Sequence, residues 1–295
     1  MMKQVFDMCP AKCMTLSQSN KHLRNYTVAA YEANRTKHFD PTREKLDFEI
    51  APGGIIVSID KKKSIPQRIK ERLDALGINN PNDGLSAQDL AEKRVGRRIM
   101  ANIIIGDSRK QMLKMGFGEQ NVDLDYGADN SHIKREKEIK LWATDMFKFM
   151  SSKFGEQNIM AFVVHLDEKN PYVHCTLLPI SDKGKLSWAA VIGRQKMEGT
   201  KFIKQIHDKI AKVNAKWNLE RGNDIRITGT QHRSSKEYWQ WLKKECDKLE
   251  KIRDEYLNIM DEIKMLAQMD FSDIHEVYTK ATAIKTKLQN IETLH

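Results

Sequence analysis

Between Ile159 and Ile180, two apolar runs rich in β-branched residues flank five polar residues, Asp167 to Pro171. No other stretch limits the fold of this chain as strongly. Apolar runs of this length on either side of Asp-Glu-Lys-Asn-Pro read as an antiparallel hairpin. One arm ends at His165 and the other begins at Tyr172. Alternation along a strand puts Tyr172 and His174 on one face, with His165 close by at the end of the facing arm. Two imidazoles, the Glu168 carboxylate and a phenol therefore converge at one end of a sheet.

A single histidine at a strand end is ordinarily a surface or core residue. Two histidines, an aspartate and a glutamate within ten residues form a ligand set suited to a hard or borderline divalent ion such as Mn²⁺, Mg²⁺ or Zn²⁺. The helical zinc-protease pattern does not apply, because His-Glu-x-x-His is absent and Pro171 would interrupt a helix through these ligands. Asp167 reads either as a carboxylate that fixes a histidine tautomer or as the cap of the turn.

The chain has 295 residues, enough for one large or two small domains with a real core. No apolar run reaches the length of a membrane span, and the N-terminus lacks the order of a signal peptide, so a cytoplasmic protein without membrane insertion is expected. Cys9, Cys13, Cys175 and Cys246 show no paired metal spacing and are expected as reduced thiols. The net charge of +10 is unevenly placed. Residues 236–295 hold 10 Lys/Arg against 12 Asp/Glu, which leaves 40 against 28 in residues 1–235. The basic excess thus accompanies the ligand-bearing hairpin, as a phosphate-binding surface requires. Lys61, Lys62 and Lys63, and Arg94, Arg97 and Arg98, are its local concentrations.

Pattern and turn chemistry predict a strand over 53–59, a helix over 65–77 closed by Gly77, a helix over 87–97 capped by Ser86, and a buried strand over Met100 to Gly106. Residues 131–154 read as a helix ended by Gly155, and 188–217 as a second long helix or helix pair. From Tyr238 the spacing becomes heptad. Leu242, Leu249, Tyr256 and Ile263 form one series and Ile252, Ile259 and Leu266 the other, which suits a coiled-coil hairpin, a dimerisation helix or a helix folded back on the first domain. The expected fold class is α+β, a two-layer domain with a central antiparallel sheet covered by helices over 1–235, plus a C-terminal helical extension over 236–295.

His165-x-Asp167-Glu168-x-x-Pro171-Tyr172-x-His174 resembles the metal motif of the Mob/Pre plasmid mobilisation relaxases, the MobV-type branch of the HUH endonucleases. The family usually has a histidine where Tyr172 stands. Residues 34–49, from Asn34 through His38, Asp40-Pro41 and Arg43 to Asp47-Phe48-Glu49, resemble the family's Asn-x-Asp-Ile-Asp-Pro-x-Arg-x-x-x-Asn-Tyr block. Gly184-Lys-Leu-Ser187, Leu219-Glu-Arg-Gly222 and Gln231-His-Arg233 fall where the family has similar stretches. The resemblance implies an HUH relaxase-like palm, with Mn²⁺ or Mg²⁺ held by His165, Glu168 and His174 and with Tyr172 at the fourth position.

It also implies a nucleophile near the N-terminus that becomes joined to a 5′ phosphate. His22 matches the family's histidine, although Arg24 follows at two positions rather than three. Counting back from Asp40-Pro41 reaches Tyr26, with Tyr31 a distant third. A phenol must be deprotonated and yields a stable ester, whereas neutral imidazole needs no deprotonation and yields an acid-labile phosphoramidate. Tyr26 is slightly favoured because tyrosine is commoner across HUH enzymes. Asn34, Lys61, Lys62, Arg97 and Arg98 are candidate DNA contacts, Arg24 and Arg43 candidate phosphate clamps, and Phe39, Phe48 and Trp188 candidate stacking rings.

The implied activity is metal-dependent nicking of one strand at an origin of transfer, recognised as single strand and hairpin, by transesterification that needs no ATP. Such a protein initiates conjugative mobilisation. Its expected partners are that DNA, a coupling protein, type IV secretion machinery and a second copy through the C-terminal helix. The same chemistry would serve a rolling-circle replication initiator or a single-strand transposase. A DNA binder that has lost catalysis is the reading favoured by Tyr172.

Overall fold

The computed structural model describes residues 2–26, 39–92, 95–125, 127–222, 235–269 and 272–292. The chain forms two compact units, Met1–Asn223 and Asp224–His295. In the first, β2 (Val5–Ala11), β3 (Phe48–Ala51), β4 (Ile55–Val57), β5 (Met100–Gly106), β6 (Ile159–His165) and β7 (Tyr172–Leu177) build a six-stranded sheet in the order β2-β5-β7-β6-β3-β4. Every pair in it is antiparallel. The predicted hairpin is β6–β7 at the centre, with His165 opposite Tyr172 and Val163 opposite His174. The predicted Met100–Gly106 strand pairs with it through β7. A short parallel pair, β1 (Met2–Lys3) with β8 (Leu219–Glu220), lies outside this sheet.

Alternation gives the sheet two differently covered faces. Phe48, Ile50, Ile103, Ile105, Phe162, Val164, Val173 and Cys175 face a large core closed by α4 (Arg109–Phe117), α5 (Lys137–Phe154) and α7 (Lys196–Asn214). Trp142 sits fully buried in that core, and its indole N–H donates to Asn214 Oδ1 at 3.1 Å, so its polar edge is satisfied where it is dry. The other face carries α1 (Leu16–His22) and α2 (Ile65–Ala75), which bury Leu23, Ile65, Ile69 and Leu73 against Ala161 and Val163. Each helix begins where its sequence says it should. Thr15 and Gln18 make a reciprocal capping box, and Ser64 caps α2 ahead of Pro66.

Three predicted elements are shorter or broken. The 53–59 strand is cut to β4, because Pro52–Gly54 form a tight turn with Gly53 and Gly54 at positive φ. Residues 131–136 do not join α5. Their backbone is held instead by α4 and the loop after it, with Glu136 N–H donating to Gly116 O at 2.8 Å and Lys134 N–H donating to Gln120 Oε1 at 2.9 Å. The 188–217 segment splits into α6 (Trp188–Val191) and α7 around Gly193, whose φ of 135° no helix contains. The helix starting after Ser86 is described only as α3 (Ala87–Glu92).

In the second unit α8 (Ser235–Ala267) and α9 (Ile274–Glu292) pair through Ile252, Ile259 and Ile284, with Leu266 and Leu288 beside them. The units meet between 223 and 224, compared with an expected division at 235. Among the described residues no helix is long and apolar enough to cross a membrane. The four cysteines are free thiols.

Candidate metal and nucleophile site

The β6–β7 turn sits at the end of the sheet where β6 stops and β7 starts, and α1 returns across the sheet so that His22 arrives over the same end. His22 and His174 have ring centroids 4.0 Å apart, and His165 lies 5.6 Å from His174. Tyr172 closes the group at 5.0 Å from His174 and 5.5 Å from His165. Three imidazoles from α1, β6 and β7 thus converge at one end of the sheet. Burial holds all three neutral. It draws the His22 imidazolium down to about 4, helped by Lys21 and Arg24, and it lowers His165 and His174 further.

Behind the rings lies a buried ionic cluster. Arg24, only 3% exposed and at φ 50°, donates from Nε and Nη2 to the two oxygens of Asp167, both at 2.7 Å, and from Nη2 to Glu168 Oε1 at 2.8 Å. Its Nε also lies 3.6 Å from Asp47 Oδ2. Asp47 in turn accepts from the backbone N–H groups of Leu166 and Asp167 at 2.6 and 3.0 Å, and its Oδ2 stands 3.3 Å from His165 Nδ1. The cluster joins the end of α1, the entry to β3 and the hairpin turn. Burial pushes the Asp47 carboxyl up to about 7 against the pull of Arg24, and it raises Asp167 well above the usual carboxylate range.

These contacts reassign two roles. Asp167 faces Arg24, so the carboxylate that orients His165 is Asp47, a residue the sequence reading did not single out. Arg24 and Arg43 are not phosphate clamps. Arg43 is 1% exposed, donates to Leu166 O at 2.6 Å and pairs with Asp40 at 2.8 Å, so both guanidinium groups face inward. Phe48 is core rather than a stacking surface. Phe39 stacks on Tyr26 with centroids 5.9 Å apart, while Trp188 packs half-buried against the large core.

Other candidates are placed less tightly. The Lys61 carbonyl accepts from the Asn25 side chain at 3.3 Å, which sets the exposed Lys61 and Lys62 beside the end of α1. Arg97 and Arg98 are exposed but precede β5 at its far end, roughly 20 Å along the strand from the site. Tyr26 is half-buried, and its phenol is pushed up by burial, with Asp167 and Glu168 adding to the rise against the opposing pull of Arg24. Asn34, Tyr31, Arg94 and the 231–233 stretch lie outside the described residues.

The donor atoms fit a divalent cation. His165 Nε2 and His22 Nδ1 are buried without a hydrogen-bond partner. One guanidinium faces three carboxyl groups among neutral rings. Asp47, His165 and Asp167 also bring ligand atoms within 4.8 Å of one another. That side is already taken up by Arg24 and two backbone N–H groups. The open valence of His165 is Nε2, and His174 and Glu168 are the candidate ligands that the hairpin brings to the same sheet end. Glu168 Oε1 already accepts from the Tyr172 hydroxyl at 2.7 Å and from Arg24, and Tyr172, raised by burial and then by Glu168, remains a phenol rather than an anionic ligand.

Residues 118–240 match the Mob_Pre family, described as plasmid recombination enzyme. A plasmid recombination enzyme type 1 from Staphylococcus aureus is 27% identical over 121 residues, 40% of this chain and 29% of that protein. A type 3 enzyme from Mammaliicoccus lentus is 32% identical over 93 residues, 32% of this chain and 22% of its own length. The matched part therefore spans less than a third of these curated relatives. Among solved structures, the Mn-bound MobM relaxase domain on pMV158 oriT DNA superposes with a TM-score of 0.54 and 19% identity, covering 81% of this chain and 99% of that one. The family match over residues 118–240 and the curated relatives both point to the plasmid recombination enzymes, and the first unit shares the fold of the MobM relaxase domain.

Proposed function

We propose that the chain nicks one strand of an origin of transfer and stays joined to the 5′ end, initiating mobilisation of the element that carries it. The observation that carries this reading is His22, a neutral imidazole held 4.0 Å from His174 at the one place, among the described residues, where buried ring nitrogens lack partners. Bound at His165, Glu168 and His174, Mn²⁺ or Mg²⁺ would polarise and orient the scissile phosphate. A ring nitrogen of His22 then attacks phosphorus, the bond to the 3′ oxygen breaks, and the proton lost from the imidazole balances the one gained by the 3′ hydroxyl. Asp47 keeps His165 oriented, and Arg24 holds α1 and the turn together, so His22 stays aimed. Conservation of the phosphoester energy in the His22–phosphate bond makes rejoining possible without ATP.

The sequence slightly favours Tyr26 as the nucleophile. Its raised phenol and its position against Phe39 support His22 instead. Lys61 and Lys62 would carry DNA backbone near the site, with Arg97 and Arg98 further along. The exposed row Leu249, Tyr256 and Ile263 on α8 supports a homodimer through the C-terminal helices. A coupling protein and a type IV secretion channel would then receive the protein–DNA adduct from the cytoplasm.

The contacts on Glu168 favour a second reading, a DNA binder without catalysis, because Arg24 and Tyr172 both occupy one of its oxygens. Incubation with Mn²⁺ and a supercoiled plasmid carrying the origin of its own element separates the two. A relaxed plasmid with covalently attached protein supports the nickase. Retarded but uncut DNA supports the binder.

A further inference from the structure

The sheet face that carries His174 is unevenly covered. Alternation puts Tyr172, His174 and Thr176 of β7 on it, together with Asn102 and Ile104 of β5 and Asp7 and Cys9 of β2. α1 and α2 pack over the β6 side of this face. Toward the β2 edge the floor opens, with Asp7, Asn102 and Ile104 half-buried and Cys9 exposed. Register sorts these residues into two rows. Asp7, Ile104 and His174 form the row that runs into the histidine site, and Cys9, Asn102 and Thr176 form the next row along. Diagonal neighbours on a sheet are about 7 Å apart, so Asn102 stands one short step from His174.

Asn102 is out of place by every local rule. It sits in the middle of a central strand, where asparagine is depleted, and its Oδ1 is buried without a hydrogen-bond partner. A β-branched apolar residue would satisfy both the strand and the packing. An amide kept at such a position needs a ligand that pairs with it. The row holds no lysine or arginine, so it is not a second phosphate subsite, while Ile104 between Asn102 and the site offers apolar surface for a flat ring. An asparagine side chain presents one donor and one acceptor, the pattern that pairs bidentately with N7 and the N6 amine of adenine.

We propose that Asn102 is a specificity-determining residue that reads an unpaired adenine next to the phosphate held at His22 and His174, with Ile104 as the floor beneath the base. This rests on the nicking function proposed above and adds the base that the site selects.

The test is enrichment from a pool of single-stranded oligonucleotides with a randomised window, in Mn²⁺, by the full chain and by its Asn102→Val and Asn102→Ser variants. Wild type should recover a motif with adenine fixed at one position. In both variants the rest of the motif should persist, while that preference falls from roughly ten- to a hundredfold to about threefold or less. Asn102→Val should melt at or above the wild-type temperature, since it removes an unpaired buried oxygen, so its altered motif would not reflect misfolding. Recovery of the same adenine at the same strength by both variants overturns the inference. A wild-type chain that selects no motif and retains no pool DNA overturns the nicking function and the inference together. The wild-type arm is read separately, so the two failures are distinct.

Discussion

The β6–β7 turn and the α8–α9 pair break opposite rules. At the turn, charged and polar groups are buried: Arg24, Asp47, Asp167 and His165 are each 7% exposed or less. On α8 apolar groups are left in water, with Leu249, Tyr256 and Ile263 spaced seven apart and between 38% and 59% exposed. Buried charge survives only where partners pair it, and exposed apolar rows persist where something is meant to cover them. The first is a site already assembled by its own chain. The second is the surface proposed above to meet a second copy of the chain.

The largest expected effect separates the nucleophile from the scaffold. His22→Ala should reduce covalent adduct formation on an origin oligonucleotide by roughly a thousandfold or more, while Tyr26→Phe leaves it nearly unchanged, as gel assays of the adduct would show. Equal losses in both variants would mean that the end of α1, and not one ring, is what matters. Arg24→Met comes next. It leaves three carboxylates facing one another, and equilibrium unfolding should show a loss of about 3–5 kcal/mol. A near-neutral result would show that the cluster is not held by that guanidinium.

Tyr172→His tests how complete the ligand set is. Restoring the imidazole usual in the family should tighten Mn²⁺ binding by roughly 10- to 100-fold in calorimetry, whereas Tyr172→Phe, which only frees one Glu168 contact, should change it by about tenfold or less. Glutamates at both Leu249 and Ile263 should have the smallest effect on the site. They should turn a dimer into a monomer in sedimentation and leave nicking within about twofold. A monomeric wild type would remove the contrast at its second pole.

What was legible in the sequence was local. His165, Glu168, Tyr172 and His174 lie within ten residues, so strand alternation alone placed them on one sheet end. Asp47 lies 118 residues from His165 and pairs with it only because β3 runs beside β6. Before folding it is one polar residue ahead of an apolar strand, although it lies within the 34–49 block. The arginines misled for a general reason. Arginine is usually exposed, and no pattern in the chain tells an inward guanidinium from one that meets DNA. The same limit applies at residues 131–136, where helical spacing is present but α4 takes the Glu136 N–H and Gln120 takes that of Lys134. Heptads in the C-terminal segment were legible as two series. Which series faces α9 depended on where the chain turned back, and α9 took Ile252 and Ile259.

The most direct test of the account is mass spectrometry of the DNA-linked peptide after the nicking reaction. Trypsin cleavage after Lys21 and after Arg24 puts His22 and Tyr26 on separate peptides. The account predicts the nucleotide on His22-Leu23-Arg24 through a bond that dilute acid breaks. An acid-stable nucleotide on the peptide that begins at Asn25 would contradict it.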